Sequence, residues 1–260
     1  KDLGADALCT GHYVKRVVGN QGTELHCGED PQKDQSYFLF ATTREQLDYL
    51  RFPLGHLSKD ETRAHAARFK LNVAEKPDSQ DICFVPDGRY SDVVKRLRPG
   101  AIDPGKIIHI DGSILGDHDG IINFTIGQRK GLGIGGRVAA EAVGGSPPLY
   151  VLELDPVQKT VIVGPKSALA RDTVIVNQIN WIGPDIPLTE TVNVLVKLRS
   201  TQEPVHGTLF RGDKDEGRIV LQQKQFGISS GQAAVFYSAE DKSRVLGGGW
   251  IVGTELIHKM

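Results

Sequence analysis

The sequence predicts a multidomain protein in which an α/β segment is followed by a mainly β remainder. The chain has 260 residues, more than one typical domain, so it can bury more than one core. Helix-start signals are concentrated before residue 100, whereas strand-like runs separated by turn residues fill the part after residue 101. The 30 glycines, about 12% against an average near 7%, favour turn-dense β structure in this second part.

Composition and charge limit the class of protein. Hydrophobic residues make up 39% and charged residues 24%, as in soluble globular proteins, and no apolar run reaches membrane-spanning length. We therefore expect no membrane partner. The formal net charge of −1 argues against electrostatic capture of nucleic acid by the whole surface, but it leaves room for a local basic groove.

The cysteines and the single methionine add two expectations. Three scattered cysteines without a CxxC pair predict neither a disulfide framework nor a zinc site, and they favour a reducing cytoplasm and no metal ligands. The only methionine is Met260, so we expect the chain to be a segment of a longer protein.

Local signals place the elements of the first part. "ALCTGHYVKRVV" and "TELHCGED" predict an antiparallel hairpin around Gly19-Asn20. Two capping boxes, Thr43 with Gln46 and Ser58 with Glu61, each satisfy backbone donors at a helix start. The predicted helices are a short one after Asp30-Pro31, then about 44–51 and 59–70, and another that Ser91 caps and Pro99-Gly100 ends.

The remainder is predicted to be β structure. "GKIIHIDGSILG" and "LYVLELDPVQKTVIVG" predict two hairpins around Asp111-Gly112 and Asp155-Pro156, within residues 101–167. Strand-like runs from residue 168 onwards, separated by turn residues, predict a small barrel or sandwich.

The loop "KPDSQDICFVPDGRY" carries the candidate nucleophile Cys83. Its prolines and Pro86-Asp87-Gly88 favour an accessible loop. Asp78, Asp81 and Asp87 would raise the pKa of the thiol and slow it as a nucleophile unless a basic group offsets them. From local sequence alone, the favoured interpretation of Cys83 is a half-buried packing residue between Ile82 and Phe84.

Other candidate residues lie at strand ends and helix starts. Gly11 would let the backbone approach a ligand closely, and for His12 beside it a structural hydrogen-bonding role is favoured over that of a catalytic base. Lys33, Asp34 and Gln35 enter the predicted short helix, where they could meet a phosphate or base or form an ordinary solvated helix start.

The glycine-rich stretch "GQRKGLGIGG", residues 127–136, suggests a phosphate loop at first sight. It lacks the strand-GxxxxGK[ST]-helix context and the GxGxxG pattern, so a basic β-turn is favoured. Arg129 and Lys130 could contact an RNA backbone. Arg199 and Gln232 flank predicted strands and could be plain surface residues.

Taken in order, the longer motifs carry a resemblance. The chain closely resembles the tRNA-specific 2-thiouridylases over essentially all 260 residues. This resemblance implies the C-terminal part of a Rossmann-like PP-loop ATP-binding catalytic domain at 1–56. A helical linker with the cysteine loop and a β-rich, mixed α+β central domain follow at 57–167, and an elongation-factor-like β-barrel at 168–260. The motifs are "TGHY", "KDQSYFLF", "DSQDICFVPDGRY", "GQRKGLGIGG", "LYVLELDP" and "GQAAVFY…LGGGWI".

The resemblance also implies an activity, that of a tRNA-uridine 2-sulfurtransferase. Members use ATP, with Mg²⁺ expected, to adenylate the C2 oxygen of the wobble uridine in tRNAs for Lys, Glu and Gln, and then deliver sulfur to that carbon. No bound prosthetic group is implied. The sulfur would come from a persulfide-donating relay protein or a cysteine desulfurase, and we expect this segment alone to be inactive.

Residue roles follow from the matching motifs. Cys83 corresponds to the cysteine that receives sulfur as a persulfide, and a second family cysteine, expected upstream of residue 1, leaves a disulfide with it. Cys9 and Cys27 do not match that second cysteine. Serine at position 200 departs from the aromatic residue expected there, which puts base stacking at that point in question. The implied contacts are Gly11 for ATP and His12, Lys33, Asp34, Gln35, Arg199, Ser200 and Gln232 for tRNA.

Three alternatives stay open at this point. The chain could be a non-catalytic tRNA-binding module in which Cys83 only packs. It could belong to another PP-loop enzyme that uses ATP to modify tRNA and needs no persulfide. A thiol redox protein is the third, although no resolving cysteine stands at short spacing.

Overall fold

The computed structural model describes residues 4–72, 103–134, 147–185, 187, 190–212 and 215–256. The chain forms two compact units. The first unit comprises residues 1–76, 172–224 and 230–260, and the second comprises 77–171 with 225–229. The domain boundaries at 56 and 167 stay predictions. Among the described residues, no helix is long and apolar enough to cross a membrane.

The N-terminal segment, residues 4–72, is a small α/β piece within the first unit. Strands β2 and β3 form the predicted antiparallel hairpin, which is confirmed, with Gly19 opposite Gly22. Strands β1 and β4 pair in parallel. The elements are β1 (Leu8–Cys9), β2 (Val14–Gly19), β3 (Gly22–Cys27), α1 (Arg44–Tyr49), β4 (Leu50–Arg51) and α2 (Lys59–Arg68).

Both predicted capping boxes are present, so the two helix starts are confirmed. At α1, the Thr43 side chain accepts from the Gln46 amide, and Gln46 Oε1 accepts from the Thr43 amide at 2.9 Å. At α2, Ser58 and Glu61 make the same reciprocal pair. Each pair satisfies donors that a helix start otherwise leaves without partners. The helix predicted at Ser91 lies outside the described residues.

The predicted short helix after Pro31 is wrong. Residues 31–41 form successive turns, with the Phe38 amide bonded to the Gln35 carbonyl at 3.0 Å. A helix does not propagate because the Gln35 amide is bonded to the Tyr13 carbonyl, and the Ser36 amide to the Asp34 side chain. Side-chain and long-range bonds here replace the helical ladder.

The rest of the first unit is a β-barrel. Its strands follow the order β13-β10-β11-β12-β9-β14, and pairing of β13 with β14 closes the ring. Strand β14 also pairs with β3, with Arg244 opposite His26, so the N-terminal hairpin extends the barrel sheet. The strands are β9 (Ala170–Trp181), β10 (Thr191–Lys197), β11 (Val205–Arg211), β12 (Gly217–Phe226), β13 (Ala233–Ser238) and β14 (Arg244–Glu255).

The second unit is a four-stranded sheet in the order β6-β5-β8-β7. Both hairpins predicted around Asp111-Gly112 and Asp155-Pro156 are confirmed. Parallel pairing of β5 with β8 joins them over a core that includes Ile107, Val151 and Val161. The strands are β5 (Gly105–His109), β6 (Ile114–His118), β7 (Leu149–Asp155) and β8 (Thr160–Pro165).

Candidate nucleic-acid interface

One turn of the N-terminal segment is fixed to the barrel, and we call residues 33–42 the docking turn. Tyr37 and Phe40 are buried in a core shared with barrel residues. The Tyr37 hydroxyl donates to the Ala233 carbonyl at 3.0 Å. Phe40 packs edge-on against Trp250, with ring centres 5.3 Å apart.

A glycine and an amide complete this attachment. A Cβ at Gly248 would lie 2.6 Å from Phe40 Cδ2, so the ring can occupy this place only over a glycine. Asn180 Nδ2 in β9 donates to the carbonyls of Phe40 and Thr42, at 2.7 and 2.9 Å. Apolar burial and directed hydrogen bonds therefore hold the docking turn together.

A buried hydroxyl network lies beneath the same turn. Ser36 is fully buried, and its Oγ donates to Asp34 Oδ2 at 2.7 Å. The only hydroxyl proton of Ser36 is used in that bond, so the Tyr237 hydroxyl, 3.0 Å away, donates to Ser36 Oγ. Cys27 Sγ lies 3.5 Å from the same oxygen. This network joins the N-terminal segment to the barrel strand β13.

Burial sets the protonation of these groups. It raises the pKa of the Cys27 thiol to about 11, against a smaller opposing effect of the Ser36 hydrogen bond. It also raises the pKa of the Tyr237 hydroxyl. Both groups are therefore neutral at physiological pH, and Cys27 has the properties of a packing thiol rather than a nucleophile.

Asp34 and Gln35, both predicted to contact tRNA, use side-chain oxygens to accept hydrogen bonds from backbone amides of the N-terminal segment. The Asp34 carboxylate accepts from the Gly28 amide at 3.0 Å and from the Ser36 amide at 3.1 Å, in addition to the Ser36 hydroxyl. Gln35 Oε1 accepts from the Tyr13 amide at 2.9 Å. These bonds give both side chains a role in shaping the docking turn. Their contact with tRNA stays a prediction.

The structure brings two of the predicted barrel residues, Arg199 and Gln232, next to the docking turn. Arg199, which follows β10, is exposed, and Ser200 beside it is half-buried. The Arg199 guanidinium acts electrostatically on the Tyr37 hydroxyl, whose pKa burial raises and this cation lowers. Gln232 is exposed and directly precedes Ala233, the residue that accepts the Tyr37 hydroxyl. Arg199 and Gln232 therefore lie close to Tyr37 of the docking turn, the turn that begins at half-buried Lys33.

Gly11 and His12 directly precede Tyr13, a residue of the N-terminal segment that is hydrogen-bonded to the docking turn. Gly11 is exposed, and His12 is half-buried with Nδ1 3.0 Å from Thr10 Oγ1. The next residue, Tyr13, is bonded to Gln35 of the docking turn. Among the described residues, no group of three or more His, Cys, Asp or Glu side chains could hold a metal ion.

Cys83 lies outside the described residues, as do residues 135 and 136 of the glycine-rich stretch. The described part of that stretch is anchored to β7 by bonds between Gly127, Gln128 and Val151. Gln128 also closes the turn itself, because its Oε1 accepts from the Thr125 amide at 3.0 Å. Arg129 and Lys130 are exposed on this turn. The geometry is that of a basic turn in the second unit.

Two residues that position the docking turn were missed by the sequence reasoning. Asn180 and Tyr237 stand within strands, and their partners lie far away along the chain. The available signal was polarity inside an apolar strand pattern: an amide in "NQINWI" and a hydroxyl in "AAVFYS". Buried polar groups of this kind require partners.

Comparison with known families agrees with this architecture. Three consecutive family models match: "tRNA methyl transferase HUP domain" at 1–87, "tRNA methyl transferase PRC-barrel domain" at 91–165, and "Aminomethyltransferase beta-barrel domain" at 171–251. The chain thus has a HUP-domain segment, a central PRC-barrel domain and a C-terminal β-barrel, which confirms the predicted fold class.

Sequence identity to curated relatives identifies the family of the chain. The chain is 55% identical over 98% of its length to the tRNA-specific 2-thiouridylase MnmA of Rhodospirillum centenum. It is 54% identical to the proteins of the same name from Maricaulis maris and Ruegeria pomeroyi, over 98% and 96% of its length. The chain belongs to the tRNA-specific 2-thiouridylase family. It spans 64%, 60% and 65% of the length of these three relatives.

Proposed function

We propose that the full-length protein is a tRNA-uridine 2-sulfurtransferase that makes 2-thiouridine at the wobble position of tRNAs for Lys, Glu and Gln. The observation that carries the proposal is identity of 55% over 98% of this chain to a relative named for that activity. The first family model, residues 1–87, includes Cys83. A basic and an amide side chain, Arg199 and Gln232, that are exposed beside the docking turn support an RNA substrate.

The proposed reaction has two stages. ATP transfers its adenylyl group to the uridine C2 oxygen and releases pyrophosphate, which turns that oxygen into part of a leaving group. Cys83, loaded as a persulfide by a sulfur-relay protein or cysteine desulfurase, is attacked by a second cysteine. That attack forms a disulfide with Cys83 and releases sulfide. The sulfide attacks C2 and expels AMP, which leaves a carbon–sulfur double bond in place of the carbon–oxygen double bond.

Residues of the first unit would hold the two substrates. Gly11, which has no side chain and is exposed, would let the backbone lie against ATP, with Mg²⁺ expected to accompany the nucleotide. Lys33 and Arg199 would meet tRNA phosphates, and Gln232 would donate or accept at a sugar or base. His12, Asp34, Gln35 and Ser200 complete the proposed tRNA contacts. Because Lys33 and Arg199 would neutralise phosphate charges, tRNA affinity should fall with salt.

The chemistry is tested by replacing one cysteine and using another as a matched control. We expect the full-length Cys83→Ser variant to bind ATP and tRNA but to make no 2-thiouridine, as measured by mass analysis of digested tRNA. Cys9→Ser, which removes an exposed thiol of the first unit, should retain activity. Normal thiolation by Cys83→Ser would contradict the proposal.

The same measurement separates the rival functions. A methylated nucleoside in place of a thiolated one would indicate methyl transfer, the activity in the names of two matching family models. Tight tRNA binding with no modified nucleoside from the wild-type protein supplied with ATP and a sulfur donor would indicate a binding module.

The proposed RNA surface is tested with Lys33→Ala. We expect weaker tRNA binding and unchanged ATP binding, with the slope of log affinity against log salt reduced by about one. Lys224→Ala, an exposed lysine on β12, is the matched control and should leave the slope unchanged. Equal loss of ATP and tRNA binding in Lys33→Ala would show that the variant disturbs the whole segment instead.

A further inference from the structure

Phe38 is the exposed aromatic residue of the docking turn. Its side chain is 65% exposed, whereas Tyr37 before it and Phe40 after it are buried. A single exposed phenylalanine is unremarkable by itself. This one, however, projects from a turn whose other aromatic rings are fixed in the core, so its position is determined by its neighbours.

The ring of Phe38 has a rigid support. It meets Tyr37 edge-on, with ring centres 5.5 Å apart and planes at 88°. Tyr37 is held in turn by its hydroxyl bond to the Ala233 carbonyl. An edge-to-face contact covers at most one face of the Phe38 ring, so at least one face of this exposed ring is available to a further planar group.

The charges around Phe38 favour an anionic partner. Lys33 belongs to the same turn, and Arg199 acts electrostatically on Tyr37, the ring that supports Phe38. The nearest carboxylate in sequence, Asp34, is engaged by two backbone amides and the Ser36 hydroxyl. An exposed aromatic ring beside cationic side chains is the combination that single-stranded RNA binders use.

We propose that Phe38 stacks on an unpaired base of the bound tRNA. This proposal rests on the proposed function, because it takes tRNA as the ligand. Sequence-specific RNA recognition targets the unstacked bases of single-stranded loops, bulges and ends, and an aromatic ring binds any of them through its π face.

The test measures tRNA affinity of the full-length protein with four variants. Phe38→Ala should lose about five- to 150-fold in affinity, the range for loss of one stacked base. Phe38→Tyr should bind like wild type, and Phe38→Leu, which is apolar but has no π face, should bind as weakly as Phe38→Ala. Phe69→Ala is the matched control, because Phe69 is 64% exposed in the same unit and lies at the end of α2.

Two further readouts identify stacking as the cause. The slope of log affinity against log salt should be unchanged in Phe38→Ala, because no phosphate contact is removed, whereas Lys33→Ala reduces it. The unfolding midpoint of Phe38→Ala should match that of wild type, because the side chain is largely exposed.

Specific results would overturn the inference. Wild-type affinity in Phe38→Ala, or recovery of affinity in Phe38→Leu, would exclude stacking at this position while leaving the thiolation proposal intact. An equal loss in Phe69→Ala would show that any exposed apolar residue has the same effect. Failure of the wild-type protein to bind tRNA would overturn the proposed function as well, so the two failures are distinguishable.

Discussion

The buried hydroxyls of Ser36 and Tyr237 allow a quantitative test of how the N-terminal segment is attached to the barrel. Two replacements remove one hydroxyl each, Ser36→Ala and Tyr237→Phe, and a third variant combines them. Both side chains are buried and their oxygens lie 3.0 Å apart. The two losses are not equivalent, because Ser36 also donates to Asp34.

The expected loss in unfolding free energy depends on which polar groups each replacement leaves without a hydrogen-bond partner. Tyr237→Phe removes one neutral hydrogen bond and leaves Ser36 bonded to Asp34, so the loss is about 1 kcal/mol. Ser36→Ala removes a bond to a carboxylate and leaves the Tyr237 hydroxyl buried without its acceptor, so the loss is about 3–5 kcal/mol. The double variant lacks the stranded hydroxyl and should lose only about 2–3 kcal/mol.

Tryptophan fluorescence during urea unfolding measures these free energies. The chain has two tryptophans, Trp181 and Trp250, and both lie in the first unit. Their emission therefore reports on this unit alone, and Trp250 also contacts Phe40 of the docking turn. The expected order of midpoints is wild type, Tyr237→Phe, the double variant, and Ser36→Ala.

The decisive comparison is between the double variant and Ser36→Ala. If adding Tyr237→Phe lowered the midpoint of Ser36→Ala further, by the same amount as in wild type, the two hydroxyls would act independently. The network described above would then make no coupled contribution, and the docking turn would depend on apolar packing alone.

Two further predictions concern the same unit. Cys27 should resist iodoacetamide in the folded protein at pH 8 while exposed Cys9 reacts, as peptide mass mapping can show. Because burial raises the pKa of Cys27 from 9.0 to about 11, its neutral thiol stabilises the fold below pH 9, and this contribution is lost as the pH rises through about 11. Gly55→Ala should lower the unfolding free energy by about 1–3 kcal/mol or more, because its Cβ would lie 1.8 Å from the Val14 carbonyl oxygen. Gly253→Ala, whose Cβ would meet its nearest atom at 3.9 Å, is the control, and a matching loss there would refute the steric reason.

Elements fixed by local chemistry were predictable from the sequence. The capping boxes at Thr43 and Ser58 gave both described α-helices, because the partners stand three residues apart. The hairpins at Asp111-Gly112 and Asp155-Pro156 were predictable for the same reason, since turn residues and alternating strands are neighbours in the chain.

Elements fixed by distant partners were not predictable. The segment after Pro31 begins like a helix but forms turns, because the Gln35 amide bonds to Tyr13 and the Ser36 amide to the Asp34 side chain. The pairing of β3 with β14 joins His26 to Arg244 across most of the chain, and no local pattern specifies that partner. Candidate residues could be named one by one, whereas the closeness of Arg199 and Gln232 to the docking turn required the fold.

The docking turn has a consequence for how the two proposed substrates are aligned. A continuous path leads from Tyr13, beside Gly11 and His12, through its bond to Gln35 and the neighbouring Ser36 to Tyr237 in the barrel. If Gly11 contacts ATP and the barrel contacts tRNA, as we propose, the orientation of one ligand relative to the other depends on this path rather than on a flexible linker. Because a misplacement of about 1 Å can reduce a rate about a hundredfold, Tyr237→Phe should impair thiolation more than it impairs tRNA binding. Equal, small effects on both would mean that substrate alignment is set elsewhere in the protein.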